Sequence, residues 1–452
     1  MNKKVSILTI IFIIIYLIGI NSFSSLNSKV KENLEVKTEE NNNTLAIYIG
    51  DEIVDTMPST NEYSAEIKCY NKDNEEITTS SSINWDGTKW VVTISGIDNG
   101  STRCDIHFNP PAPSNWFSAK EGTLIAAMRS DSKNIITAPV TTPGRTTSQS
   151  SEEVFASTKD DYGYTYYYRG AVTNNYVVFA GMCWRIVRVD GQGNIKLTLY
   201  NSSSSSCTTT GNKLAFATFN GTENKVSFNS EKEDNAYVGF MYGTPSSNTY
   251  SATHANTSPS TIFSALKTWY DRTFSAVQKE MLADVIWCND ISTTGSGYKT
   301  LKTEYGPYTR LKTASTATPT LICPNDKDGG KLGKFTASNN TDGGYGNGAL
   351  NGYKVGLLTS DEVAFAGAIY GFLQTNANYY LHENTGTYWW TMSPYRVKSK
   401  GASIATVRAD GGLDDSDADL DKGLRPAISL KSNTEISSGN GTSSAPYIID
   451  EK

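Results

Sequence analysis

The 452-residue chain predicts a small all-β sandwich followed by a larger α+β domain, behind an N-terminal apolar helix. Three observations predict this layout. Short alternating runs of apolar and polar residues, separated by turn signals, fill residues 44–110. Residues 161–432 begin and end with strand-like runs and carry helical patterns between them. The composition, with 26 tyrosines and only 19% charged residues, favours β structure.

The N-terminus carries an export signal. Lys3 and Lys4 precede an almost unbroken apolar run over residues 5–20, which matches the charged and apolar regions of a signal peptide. Ser22 and Ser24 are small enough for the positions that a signal peptidase reads. Because the run is only slightly shorter than the ~20 residues that span a bilayer, a cleaved signal and a retained membrane anchor both remain open. Either way we expect the chain outside the cell or on its surface, with membrane contact only through this segment.

The small domain follows a charged, Asn-rich linker. Four alternating runs predict strands at residues 45–49, 62–70, 89–95 and 103–108. The dipeptide Asp86-Gly87 predicts a tight turn between two strands. A proline-rich run after Phe108 ends the domain, because proline supplies no backbone donor.

Six cysteines indicate disulfides rather than a metal site. None of them forms a C-x-x-C pair, so structural zinc is not expected. The even number in an exported chain favours three bridges. Cys69 and Cys104 lie in the small domain and are natural partners. The pairing of the other four stays open, and Cys183, in an apolar strand, is equally compatible with a buried free thiol.

The larger domain is β at both ends with helices between. A Ser/Thr/Pro-rich connector with one helical candidate at residues 120–128 precedes it. A helix is predicted with Ser258 as its N-cap, Pro259 near its start and an apolar stripe over residues 262–270, and a second helix is predicted at 276–285. Residues 359–362 cap a third predicted helix at 363–373. Strands are predicted at residues 164–169, 176–179, 183–189, 195–200, 355–358, 388–392, 403–408 and 427–430.

The predicted boundaries are 1–25 for the signal peptide or anchor, 26–43 for the linker, 44–110 for the β-sandwich, 111–160 for the connector, 161–432 for the α+β domain and 433–452 for a C-terminal tail.

Composition and motifs exclude several functions. A net charge of −6 argues against a nucleic-acid partner, which would need basic residues to neutralise phosphates. The three histidines leave little room for histidine-based catalysis. The sequence lacks the nucleophile elbow, the zinc-protease helix and the phosphate-binding loop. We therefore predict no catalytic residues and no cofactor apart from a weak calcium candidate.

An aromatic strand is the first binding candidate. Tyr388, Trp389 and Trp390 are consecutive, and neighbouring strand residues face opposite sides. At most one tryptophan is therefore exposed, where it would stack on a sugar or a peptide. The alternative is that both are core anchors, since tryptophan buries a large area.

An acidic hairpin is the second candidate. Six aspartates occupy residues 410–421, and Asp417, Asp419 and Asp421 stand at alternate positions from which their carboxylates would reach Ca²⁺. However, Lys422 stands where a calcium loop needs glycine, so a solvated hairpin is the favoured interpretation. We hypothesise that this hairpin, the insertion 324–352 and the turn 382–387 converge around the aromatic strand, with the aspartates at the rim of a ligand site.

Several motifs resemble an uncharacterised family of exported proteins from low-GC Gram-positive gut bacteria. The matching segments are residues 168–172, 174–177, 184–186, 355–359, 361–362, 388–394, 423–426, 441–442 and 446–447. The signature Trp-Trp-x-x-Ser-Pro … Gly-Leu-Arg-Pro looks like a domain of unknown function. That domain is similar in layout to C-type-lectin-like and formylglycine-generating-enzyme folds, so the resemblance implies a lectin-like larger domain.

The chain also departs from both of those folds. The copper-binding cysteine pair of formylglycine-generating enzymes has no counterpart near the C-terminus. The Glu-Pro-Asn or Gln-Pro-Asp pattern of calcium-dependent lectins is missing. The expectation is a non-catalytic secreted or cell-surface protein that binds a surface glycan or a protein. The alternative is an exported enzyme acting on glycans or cell-wall material.

Overall fold

The computed structural model describes residues 43–49, 52–58, 63–97, 102–109, 119–131, 153–202, 207–208, 218–219, 222–223, 225–294, 302–313, 316–339, 345–371, 379–382, 388–398 and 401–452. The predicted signal segment and nearly all of the predicted linker lie outside these residues. The fold is mostly β, with 38% of residues in strands and 15% in helices, as the sequence predicts at this coarse level. None of the helices in these ranges combines the length and apolar character needed to cross a membrane.

The chain divides into two compact units, residues 1–111 and 112–452. The strands of the small unit are β1 (Thr44–Ile49), β2 (Glu52–Val54), β3 (Ser64–Tyr70), β4 (Glu76–Ile77), β5 (Ser80–Trp85), β6 (Trp90–Ser95) and β7 (Arg103–Asn109).

Five strands of the small unit form one sheet in the order β2-β1-β7-β3-β4, and β5 and β6 form a hairpin. The hairpin turn is the predicted one, and the Asp86 carboxylate accepts from the backbone N–H groups of Thr88 and Lys89. The buried residues of β6 share one core cluster with those of β7, and the rings of Trp90 and Phe108 lie 5.1 Å apart. The two layers therefore pack as a sandwich.

Cys69 and Cys104 form the disulfide expected from the sequence. They lie directly opposite each other on the antiparallel strands β3 and β7, with their Cα atoms 4.0 Å apart. The bridge therefore ties two neighbouring strands of the small sheet.

The larger unit contains many short elements. Its helices are α1 (Leu124–Asp131), α2 (Tyr250–Thr253), α3 (Thr261–Thr273), α4 (Ala276–Met281), α5 (Gly306–Leu311) and α6 (Ser360–Ala366), with a 3₁₀ turn at Asn235–Val238. Its strands are β8 (Glu153–Asp160), β9 (Gly163–Gly170), β10 (Tyr176–Phe179), β11 (Met182–Val189), β12 (Ile195–Asn201), β13 (Thr218–Phe219), β14 (Thr222–Glu223), β15 (Lys225–Val226), β16 (Met241–Tyr242), β17 (Ser258–Pro259), β18 (Trp287–Cys288), β19 (Thr293–Thr294), β20 (Glu304–Tyr305), β21 (Lys334–Phe335), β22 (Trp389–Lys398), β23 (Gly401–Val407), β24 (Leu413–Asp417), β25 (Lys422–Gly423), β26 (Ala427–Leu430), β27 (Ile436–Ser438) and β28 (Tyr447–Ile449).

Two sheets dominate the larger unit. One has eight strands, with β26-β12-β11-β10-β28-β27 side by side and β8 and β9 added through β11. The other has seven strands and is centred on β22, which pairs with β20, β23 and β25. Buried residues of both sheets and of α3 belong to one hydrophobic core. Residues 433–452, predicted as a tail, instead supply β27 and β28, and β28 pairs in parallel with β10.

Capping hydrogen bonds and backbone angles explain where three of the helices begin or end. Helix α3 is capped by Ser260 rather than by the predicted Ser258, because the Ser260 hydroxyl accepts from the N–H of Phe263 while Ser258 lies in β17. The helix buries its predicted apolar stripe. Helix α4 ends at Met281 rather than near 285, because Leu282 is already extended. Helix α6 has the predicted capping box but ends before residue 373, because Gly367 takes a φ of 131°.

Candidate functional site

The predicted aromatic platform is buried. Trp389 and Trp390 are only 2% and 0% exposed, because both faces of β22 are covered. The indole N–H of Trp390 donates to the carbonyl of Val226 at 2.7 Å, and the Arg425 guanidinium lies 4.8 Å from the Trp389 ring. Of the two alternatives, neither tryptophan is an exposed platform, and both residues are core anchors. Tyr388 alone of the three is partly exposed.

Two of the three predicted calcium ligands contact a lysine. The Lys232 ammonium lies 3.1 Å from Asp417 and 3.0 Å from Asp419, while Asp421 is exposed in the adjoining turn. Hydrogen bonds to Asp419 and Asp417 raise the pKa of Lys232. No cluster of three or more potential metal ligands occurs within the described parts of the chain. These carboxylates thus face a fixed cation rather than an open metal position.

The proposed convergence of loops stays a prediction. Residues 340–344 of the predicted insertion and 383–387 of the predicted turn lie outside the described residues. The described part of the insertion is organised by Asp326, whose carboxylate accepts from three backbone N–H groups between residues 328 and 332. The Asp326 carboxylate therefore stabilises the loop to which it belongs.

A different site lies in the larger unit, and we call it the charged cleft. Its cavity volume is about 20 Å³, room for one or two water molecules, and it opens to solvent. Apolar and hydroxyl side chains share the walls with eight charged ones, namely Asp160, Asp161, Arg188, Lys196, Asp290, Arg310, Asp361 and Glu362. Strands β8, β11 and β12, helix α5 and the N-terminal turn of α6 bring these groups together.

Glu362 is the centre of the first ion-pair network. Its carboxylate lies 2.6 Å from the Lys196 ammonium and 3.0 Å from Nε of Arg188, and all three side chains are under 10% exposed. Arg188 also donates to Asp160 at 2.6 Å. Burial opposes ionisation of Glu362, but Lys196 and then Arg188 outweigh it and lower its pKa to about 2. The carboxylate therefore stays ionised inside the protein.

Arg310 holds the second network. Its guanidinium donates from Nε and Nη2 to the two oxygens of Asp361, each at 3.0 Å, and from Nη1 to Asp290 at 2.8 Å. This fork–fork geometry is the one in which arginine binds carboxylates best. Burial raises the pKa of Asp290 despite the guanidinium. Two carboxylates thus converge on one cation.

Asp190 lies beside the first network, in the turn between β11 and β12. Its Oδ1 accepts from the backbone N–H groups of Gln192 and Asn194. Burial, and then the negative charge of Asp160, raise its pKa from 3.8 to about 6. In the folded protein this carboxyl therefore binds a proton more tightly than in the unfolded chain.

Replacing Asp190 by asparagine is expected to raise the free energy of unfolding at pH 7. Asparagine keeps the oxygen that accepts the two backbone bonds but cannot acquire the costly buried charge. Because the folded-state pKa is raised, the wild type loses stability as the pH rises from about 4 through 6. The advantage of the variant should therefore shrink as the pH is lowered to about 4, which urea unfolding at several pH values would measure.

The matched control is Asp86→Asn in the exposed turn of the small unit. There, hydrogen bonds from the backbone of Lys89 and Thr88 lower the carboxylate's pKa. Removing this charge should not stabilise the protein. Equal stabilisation by both variants would contradict the assigned cause.

The histidines do not line the charged cleft. His254 is buried, and burial lowers its pKa to about 3, which keeps the ring neutral. His107 stacks on Tyr48 in the small unit, and His382 stacks on Tyr379. These positions give none of the three an evident role in proton transfer at the cleft.

Comparison of the chain with protein-family models, curated proteins and solved structures finds no match. The function of the protein is therefore inferred from the positions of its own side chains.

The sequence does not predict the charged cleft, but it does indicate two of the elements that form it. The irregular alternation around Arg185 and Arg188 predicts a bulge or a mostly buried strand. Strand β11 has both features, because its register against β12 shifts between Ile186 and Arg188 and all of its residues are buried. Glu362 was predicted to cap α6, which it does. Neither signal reveals that the two side chains meet, because they lie far apart in the sequence.

Proposed function

We propose that the chain is an exported, non-catalytic binding protein, secreted or held at the cell surface, whose larger unit has a lectin-like layout. Its ligand is a surface glycan or a protein. The cysteines support export. All six are bridged, in the pairs Cys69–Cys104, Cys183–Cys207 and Cys288–Cys323. Disulfides of this kind persist in oxidising compartments.

The charged cleft is the observation that carries binding. Polar groups from several elements converge in this small concavity, which can take one hydroxyl or amino group of a larger ligand that lies across its opening. Its lining holds five carboxylates and three cations, so it favours ligands with hydroxyl or amino groups over anions. The ion pairs hold these groups in fixed positions, which reduces the ordering cost of binding.

The rim of the cleft is fixed by a disulfide. Cys288 and Cys323 both line the cleft, and their bridge connects β18 to the segment that contains Thr320 and Ile322. Ile322 is 45% exposed, which makes it accessible for substitution without disturbing the core. A large side chain at this position would narrow the entrance.

Ile322→Trp is expected to weaken ligand binding at least tenfold. Purified protein would be titrated against a panel of glycans and cell-wall fragments, and the wild type should show saturable binding without product release. The control is Leu420→Trp, because Leu420 is also 45% exposed but does not line the cleft. Absence of any wild-type binding, or equal binding by both variants, would overturn the proposal.

A second candidate is an exported enzyme that cleaves glycans. The Asp290–Arg310–Asp361 arrangement favours it, because glycoside hydrolases use two neighbouring carboxyl groups, and burial raises the pKa of Asp290 as it does that of a general acid. The same panel separates the two functions, since shorter products would appear only with an enzyme.

A further inference from the structure

A β-bulge in β22 produces an unusual surface feature. Pro394 lies opposite Ile404, but Arg396 lies opposite Ser403, so Tyr395 has no partner of its own on β23. Bulges of this kind re-aim side chains and are common next to functional sites. Here the bulge supplies two adjacent residues to one cluster, which we call the tyrosine patch.

The tyrosine patch comprises Tyr308, Tyr370, Tyr395, Arg396 and Asp415. The Tyr395 ring is buried, with the Tyr308 ring 4.9 Å away edge-on and the Tyr370 ring 5.6 Å away. Tyr308 and Tyr370 are only partly buried and lie at the surface. None of the five residues lines the charged cleft.

Arg396 and Asp415 add polar groups to the patch. The Arg396 guanidinium donates from Nη2 to Asp415 at 3.1 Å and from Nη1 to the Tyr308 hydroxyl at 3.2 Å. The hydroxyl of Tyr370 is 3.4 Å from the same Asp415 oxygen. The side chains of Arg396 and Asp415 are 17% and 14% exposed, so a ligand at the surface can reach them.

Two donors of the patch have no acceptor among the described residues. They are the hydroxyl of Tyr395 and the Nε–H of Arg396, both enclosed. Burial raises the pKa of Tyr395, so its hydroxyl keeps its proton. A buried donor without an acceptor is costly, and native structures satisfy such groups with water or a ligand.

We infer that the tyrosine patch is a second binding site and that it takes a neutral saccharide. Saccharide hydroxyl oxygens would accept from Tyr395 and Arg396, after a small movement of the tyrosine rings that cover them. The C–H face of the sugar would pack against the apolar rings. This site is separate from the charged cleft, and its assignment does not depend on the proposed function.

The charges of the patch favour a neutral ligand. Arg396 is already paired with Asp415, and Asp414 next to it adds a further carboxylate. Lys312, whose ammonium lies 4.7 Å from the Tyr308 ring, is paired with Glu304 at 3.7 Å. A phosphate or sulfate would therefore meet no surplus positive charge, whereas a hydroxyl-rich ligand needs none.

The test uses the full-length protein and a panel of neutral oligosaccharides, namely hexamers of glucose, xylose, mannose and N-acetylglucosamine, titrated by calorimetry. Tyr395→Phe removes one hydroxyl and keeps the ring. We expect it to weaken binding about five- to tenfold, and Tyr308→Ala to weaken it more than tenfold. The melting temperature of Tyr395→Phe should not fall, because the lost hydroxyl makes no bond within the described structure.

Tyr353→Phe is the matched control. This partly exposed tyrosine also carries a hydroxyl, which donates to Asp271 at 3.0 Å outside the patch. Wild-type affinity in this variant, with losses in the two patch variants, supports the inference. Failure of all the oligosaccharides to bind the wild type, or full affinity in both patch variants, overturns it. Binding that is lost in Ile322→Trp but kept in the patch variants would assign the saccharide to the charged cleft instead.

Discussion

Glu362→Gln is expected to lower the free energy of unfolding of the larger unit by about 3–5 kcal/mol, the usual cost of breaking a buried ion pair from one side. The variant leaves the buried Lys196 without its carboxylate, and Arg188 keeps only Asp160. Urea unfolding followed by tryptophan fluorescence would measure the loss, because Trp184 and Trp287 are fully buried in the same unit. The denaturant slope should stay unchanged if the fold is retained.

The control for this variant is Glu435→Gln. Glu435 pairs with Lys120 at 2.9 Å, but the two side chains are 50% and 78% exposed. Pairs exposed to this degree contribute only about 0–1 kcal/mol. Equal effects of the two substitutions would show that burial of the Glu362 network adds nothing to stability.

The pH dependence of the wild type provides a related check. The pKa of Glu362 falls from 4.5 in the unfolded chain to about 2 in the folded protein. Its contribution is therefore present above about pH 4.5 and is lost as the pH falls towards 2. Below pH 4.5 the wild type should lose stability more steeply than Glu362→Gln.

Removing the Cys69–Cys104 bridge with a double alanine variant is expected to destabilise the small unit by about 3–4 kcal/mol, from the chain-entropy cost of releasing a loop of this length. The bridge spans 35 residues. Among the described residues of this unit, the core comprises eight buried apolar residues, so the unit has few other stabilising contacts. Amide hydrogen exchange in the full-length protein should accelerate in β3 and β7.

Cys183→Ala/Cys207→Ala is the matched variant, because its bridge belongs to the larger unit. Exchange in β3 and β7 should be the same in this variant as in the wild type. If the alanine pair at Cys69 and Cys104 also left exchange there unchanged, the disulfide would be dispensable for the small unit.

Most of the correct predictions follow from local patterns of apolar and polar residues in the sequence. The alternation in β6 buries Trp90, Val92 and Ile94 on one face, as a half-buried strand should. The stripe of α3 buries the residues predicted from its spacing. Both features depend on neighbours in the sequence, which is why one chain suffices to predict them.

The functional site depends on contacts that no local pattern specifies. The strand period places Trp389 and Trp390 on opposite faces, and other elements cover both residues, so neither ring is exposed. The charged cleft combines Arg188, Glu362 and Arg310 from three distant segments. Each of these residues, viewed alone, is compatible with a surface position.

The pairing of β28 with β10 has a consequence for biosynthesis. Val177 and Val178 are hydrogen-bonded in parallel to Tyr447 and Ile448, which are synthesised last in this unit. During synthesis, β10 therefore lacks one of its neighbours until nearly the whole unit has been made, and this edge stays open to wrong pairing in the meantime. The strands of the small unit are complete much earlier. The eight-stranded sheet therefore closes only when the last strand of the larger unit has been synthesised.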